Sequence, residues 1–161
     1  MDEATETQDV ANGKEASEIE LLSFHVGDHE YSVDIMSVRE IRGWTRTTSL
    51  PHSPKFVRGV INLRGTVLPV IDLDLRLGLE SSEPSERNVI IVVDVQGRSL
   101  GLRVDAVSDI LSLPLTALKP LPELAEETEE TFLRAITVIE DRMVRVLDIV
   151  ALLPPLGEVA A

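Results

Sequence analysis

The 161-residue chain has no cysteine, which excludes disulfides, thiolate metal sites and a thiol nucleophile. Aromatic residues make up only 3% of it, against 43% for hydrophobic residues as a whole, so any core must be built from Val, Leu and Ile. Basic residues are scarce too: 15 Lys and Arg stand against 28 Asp and Glu, a formal charge of -13. Such a field attracts neither nucleic acid nor an anionic membrane surface, and neither is expected as a partner. No apolar run approaches the ~20 residues that span a bilayer, so direct membrane insertion is not expected. The opening stretch "MDEATETQDVANGKEASE" is acidic and polar, the opposite of a signal peptide. It reads as a disordered tail, residues 1–18, on a cytoplasmic protein.

What is present is a period of two. "LLSFHV" and "EYSVDI" flank Gly27-Asp28, and "NVIIVVDV" and "SLGLRVDAV" flank Gln96-Gly97, as two hairpins would. "GTVLPVIDL" and "MVRVLDI" are further strands rich in β-branched residues. Helical signals are short. Ser53-Pro54 predicts one or two turns over "SPKFV", and Asp72 and Asp148 are placed to cap "LDLRLG" and "IVALL". The segment from Asp34 to Glu40 fits helical spacing as well as a bent strand.

The chain also repeats itself. "YSVDIMSVREI" aligns without gaps with "LGLRVDAVSDI" at an offset of 69 residues. "FVRGVINLRGTVLPVIDL" aligns with "FLRAITVIEDRMVRVLDI" at an offset of 76, matching Phe56 with Phe132, Arg58 with Arg134 and Asp72 with Asp148. The growing offset puts an insertion in the Pro- and Glu-rich segment "LPELAEETEETFLRA" of the second copy. Two similar β-subdomains follow, each marginal alone and stabilised by the other. Closing each sheet into a barrel would remove its edges.

Residues private to one copy are the better candidates for function. Asn62-Leu63-Arg64-Gly65 faces Val138-Ile139-Glu140-Asp141. Gly65 permits a turn, Asn62 can hydrogen-bond exposed backbone groups, and Arg64 projects a planar donor fork suited to a carboxylate. The plain alternative makes Arg64 a solvated turn residue. Arg39, Arg42 and Arg46 likewise have no basic counterparts in the second copy, and such a mixed-sign patch suits protein docking. Catalytic patterns are missing. His25 and His29 flank a hairpin tip without a completing ligand set. No strained Gly-x-Ser-x-Gly elbow and no phosphate-cradling loop is present. The chain reads as a non-enzyme.

Three stretches, "FHVGDHEYSVDIMSVREIRG", "LPHSPKFVRGVINLRGTVLPVIDL" and "GLRVDAVSDIL", together resemble the CheW-like domain family of bacterial chemotaxis coupling proteins, from about Glu20 to Leu153. The resemblance implies a mainly β fold. Two small five-stranded SH3-like β-barrel subdomains, with short helical turns, pack around a shared aliphatic core. The domain is expected over 19–156, its halves at approximately 19–80 and 86–156, before a C-terminal tail at 157–161. Strands exchanged between barrels would blur the boundary between copies. The resemblance also implies an adaptor without catalysis or cofactors. Its expected partners are the regulatory domain of the histidine kinase CheA and the cytoplasmic hairpin tip of chemoreceptors (methyl-accepting chemotaxis proteins), with other CheW-like domains as further partners. Its expected place is the cytoplasm, recruited to membrane-associated chemoreceptor arrays. Carried over by motif, the receptor groove comprises Val38 and Glu40 in "SVREI", Gly59 in "FVRGV" and Asn62, Arg64 and Gly65 in "NLRG". Val89 in "NVIIVV" and Val107 and Ile110 in "DAVSDI" complete it. Arg142 and Arg145 depart from the family pattern, standing where apolar residues are common. The alternative is a CheW-like scaffold for a kinase pathway outside chemotaxis, in motility or biofilm signalling.

Overall fold

The computed structural model describes residues 17–121 and 131–154. The expected acidic tail up to residue 16, most of the expected insertion and the expected tail at 157–161 lie outside the described residues. Ten strands follow in chain order: β1 (Glu18–Val26), β2 (His29–Asp34), β3 (Val38–Gly43), β4 (Val57–Leu63), β5 (Thr66–Asp72), β6 (Val89–Val95), β7 (Arg98–Val104), β8 (Ala106–Pro114), β9 (Leu133–Ile139) and β10 (Arg142–Leu147). Two one-turn helices, α1 (Leu73–Arg76) and α2 (Ile149–Leu152), follow β5 and β10. Two-residue turns join four of the hairpins. Their twist matches the strands when the central residues take positive φ. Arg64 and Gly65 do so at 53° and 86°, and Gln96 and Gly97 at 53° and 78°. The Asp34–Glu40 ambiguity resolves into a single 3-10 turn over Ile35–Ser37 leading into β3. Ser53-Pro54 forms only one turn, closed by Val57 N–H on the Pro54 carbonyl at 3.0 Å, because β4 begins at Val57.

The strands form two five-stranded sheets, ordered β8-β1-β2-β10-β9 and β3-β6-β7-β5-β4. Each contains one parallel pair, β2 with β10 and β7 with β5, at equivalent places in the repeat. Each sheet also curls onto itself. Thr48, beyond β3, pairs with Val60 of β4 through two 2.9 Å hydrogen bonds. Lys119, beyond β8, pairs with Ile136 of β9 in the same way. Closure hides the edge strands, as expected for SH3-like barrels.

The barrels do not coincide with the copies read along the chain. The first barrel takes β1 and β2 from the first copy and β8, β9 and β10 from the second; the other barrel takes the reverse. Neither copy can close a barrel from its own strands.

Alternation along the strands produces three cores. Ile19, Leu21, Leu111, Leu113, Val144 and Val146 fill the first barrel. Ile61, Leu68, Val70, Ile90 and Val92 fill the second. The other faces of both sheets meet in a larger shared core that includes Leu22, Phe24, Tyr31, Val33, Ile71, Ile91, Val93, Leu102, Phe132 and Leu147. Most of it is aliphatic, with Phe24 and Tyr31 stacked at 6.4 Å. Arg76 clasps the halves together. Its guanidinium lies over Phe56 at 4.0 Å and over the repeat mate Phe132 at 4.9 Å, and donates to the carbonyls of Ala151, Leu152 and Leu153.

Two polar features follow the same logic. Asp148 caps α2, accepting from Ala151 N–H at 3.4 Å. Asp72, expected to cap α1, occupies the N-cap position but makes no side-chain cap bond. Its carboxylate is taken by Arg58 at 2.9 Å and by Arg103 at 2.6 Å. Arg103 is only 2% exposed and donates also to Asn88, Asp74 and the Ser82 carbonyl. The departures Arg142 and Arg145 are also settled locally. Arg142 pairs with Glu30 at 3.1 Å, and Arg145 lies over the Tyr31 ring at 5.7 Å.

Gly59 sits at a register shift in β4, with φ at 153°, under the Thr48 segment that closes the barrel. A Cβ there would fall against the Thr48 carbonyl, 2.8 Å from its carbon. Gly59→Ala is expected to destabilise the fold by about 1–3 kcal/mol, the range for overpacking, measured by denaturant unfolding.

Candidate functional site

Of the residues expected for the groove, Val38, Val89 and Val107 lie at the seam between the barrels, and Glu40, Gly59, Asn62, Arg64 and Gly65 lie on the second barrel. Val38, Val89 and Val107 are each half-buried, and each packs on the shared core while keeping part of its surface outside. Val38 and Val107 occupy matching positions of the repeat, one on each barrel. Ile110, on the same strand as Val107, is 56% exposed. Val89 belongs to the seam but not to the neighbourhood of Val38. It pairs with Gly43, whereas Val38 pairs with Val93 four residues further along β6, roughly 13 Å away at strand spacing.

The polar part is more tightly assembled. A register shift between Val38 and Glu40 interrupts the alternation along β3: Val38 pairs with Val93 and packs on the shared core, whereas Glu40 and Arg42 pair with Val92 and Ile90 on the face of the second barrel. The Glu40 carboxylate accepts from Arg64, across the barrel mouth, and from Arg42 at 3.2 Å. The Arg64 guanidinium and then Arg42 hold the Glu40 carboxyl below its ordinary value of 4.5. Glu40 therefore stays ionised wherever a cell keeps its pH, and the pair is lost only as acid titrates the carboxylate. Asn62 Oδ1 accepts from Gly65 N–H at 2.9 Å and braces the turn that presents Arg64, whose side chain is 69% exposed. Behind the pair lies a depression of about 390 Å³ lined by Leu63, Thr66, Leu68, Val92 and Ser99 as well as Glu40 and Arg64. Gly59 is buried against the Thr48 segment that closes the barrel.

The backbone of the Arg64-Gly65 turn is not what sets the copies apart. Glu140 and Asp141 adopt the same positive φ, 51° and 67°, in the second copy. The side chains are what differ. Where the second barrel has Glu40 and Arg64, the first has the like charges Asp109 and Glu140. Sequence reasoning missed the surface around Ile35 and Met36. Its signal was the cap-like Asp34, whose carboxylate accepts from Met36 N–H at 3.0 Å and forces the 3-10 turn.

Comparison with known proteins places this geometry in a family. The family model described as CheW-like domain matches residues 20–155. The chemotaxis protein CheW of Rhizobium meliloti (strain 1021) is 50% identical over 135 residues, covering 84% of this chain and 87% of that protein. The chemotaxis protein CheW of Klebsiella aerogenes is 38% identical over 134 residues, covering 83% and 81%. The crystal structure of the scaffolding protein TtCheW from Thermoanaerobacter tengcongensis matches with a TM-score of 0.75 at 31% identity, covering 81% of this chain and 88% of that one. With two exchanged SH3-like barrels, a shared core and relatives of this closeness over most of its length, the chain belongs to the CheW-like domain family and is a scaffolding adaptor of chemotaxis, not an enzyme.

Proposed function

We propose that this adaptor couples the regulatory domain of the histidine kinase CheA to the cytoplasmic hairpin tip of chemoreceptors. In this reading the receptor helix lies along the seam between the barrels. Val38, Val107 and Ile110 receive its apolar face, and Arg64, held by Glu40 and by the Asn62–Gly65 turn, meets its polar rim. The observation that carries the reading is the Glu40–Arg64 pair at the mouth of the second barrel, on the strand that also carries Val38, whose half-buried side chain already belongs to the shared core. The apolar contact is thereby pre-formed, and the charged group is oriented before any partner arrives. Gly59 supports this surface through the closure of the barrel at Thr48, and Val89 from the far end of β6. The adaptor would be recruited to the membrane by its partners; no helix among the described residues is long and apolar enough to cross one.

Arg64→Ala is expected to leave the melting temperature unchanged and to weaken capture of a receptor-tip fragment about tenfold, with wild-type capture flat between pH 6 and 8 because Glu40 remains ionised throughout. Normal capture by the variant would remove Arg64 from the site. A scaffold for a kinase outside chemotaxis is the second reading. Protein PilI of Pseudomonas aeruginosa, 33% identical over 104 residues, is a relative without a chemotaxis name. The higher identity to chemotaxis proteins favours the first reading.

A further inference from the structure

The seam continues past the residues assigned above. Ile35 precedes Val38 and packs on the same shared core, while Ser112 stands two residues beyond Ile110 on β8 and pairs with Glu20 of β1. There a second depression opens, about 330 Å³ in volume, floored by Ile19 and Ile35, flanked by Met36 and rimmed by Glu18, Glu20 and Asp34. The 3-10 turn held by Asp34 tucks Ile35 inward and thrusts Met36 outward, where it is 86% exposed. A thioether presented to solvent in this way is an adaptable apolar contact. It is also private to the first copy: its counterpart is Asp105, which is half-buried and accepts from Gly27 N–H at 2.8 Å.

Charge selects the occupant. Among the described residues, none of the three rim carboxylates has a cationic partner, whereas Arg39, Arg42 and Arg64 at the opposite rim share only two carboxylates, Asp94 and Glu40, and keep a net positive charge. The two ends of the seam therefore differ in sign. An aliphatic stem ending in a cation satisfies both floor and rim. We infer that this depression is the far end of the receptor groove and receives a lysine or arginine of the docked helix, beyond the residue that meets Val38. The inference rests on the proposed receptor reading and adds an orientation to it: only one direction of the helix places its basic end over Glu18 and Glu20.

The test is association kinetics of the full chain with a chemoreceptor hairpin-tip fragment, for wild type, Glu18→Lys/Glu20→Lys and Val38→Asp. Both glutamates are exposed, so the double variant keeps its fold. It is expected to associate about tenfold more slowly at low ionic strength, with the difference vanishing in high salt and dissociation little changed, the signature of a rim charge. If the double variant associates at the wild-type rate while Val38→Asp binds weakly, the basic-residue inference is overturned and the groove stands. If Val38→Asp also binds normally, the groove reading fails and the inference falls with it.

Discussion

Arg103→Ala is expected to lower folding stability by about 3–5 kcal/mol, as breaking a buried ion pair does when one partner is removed. The guanidinium is the hub of an interior network. It joins Asp72 at the end of β5, Asp74 in α1, and Asn88 and the Ser82 carbonyl in the segment leading to β6. Its removal leaves Asp72 held by Arg58 alone and strips Asp74 of its cation, with both side chains at most 7% exposed. A domain of this size has roughly 5–15 kcal/mol in hand, so the variant should stand near its unfolding threshold at 37 °C. Denaturant unfolding against Arg87→Ala, which removes an exposed arginine, is the measurement. Equal midpoints for the two variants would show that the network is dispensable.

Val38→Asp is expected to weaken receptor-tip binding on the order of 100-fold, about 2.7 kcal/mol, because the docked helix would bury a carboxylate with no partner. The effect exceeds that of Arg64→Ala because Arg64 stands exposed at the rim, where truncation mainly removes a screened charge. Isothermal titration with the tip fragment reads the affinity, and a thermal melt of the same variant separates lost contact from lost fold. A Val38→Asp protein that melts normally and binds normally would exclude this seam as the docking surface.

Much of this fold was legible in the residues. Alternation marked the hairpins, and the repeat of Phe56 with Phe132 and of Asp72 with Asp148 announced the pseudo-symmetry that Arg76 exploits by stacking on both phenylalanines. The division of barrels was not legible. Strand exchange depends on which sheet edge each strand meets in space, and local pattern is the same whether β2 is continued by β3 or by β10. The role of Asp72 was hidden for a similar reason. A cap is a local signal, whereas Arg103, 31 residues away, outcompetes it only after folding. At the site, the asymmetry of Asn62 to Gly65 was readable, and so was Arg64 as its exposed member. The sequence offered Arg64 two partners, Glu40 or the polar rim of a docked helix. The structure pairs it with Glu40, 24 residues away. Met36 was overlooked because a methionine at helical or strand spacing reads as core; only the turn held by Asp34 turns it outward.

We propose that one chain couples the receptor tip, docked on the seam around Val38, to the kinase regulatory domain, held away from that seam. Co-sedimentation of the full chain with receptor-tip fragments and the CheA regulatory domain tests it most directly, using wild type beside Val38→Asp. The account predicts that wild type brings down both partners in one complex and that Val38→Asp keeps the kinase domain while losing the receptor tip. Capture of neither partner by wild type, or unchanged receptor capture by the variant, would contradict it.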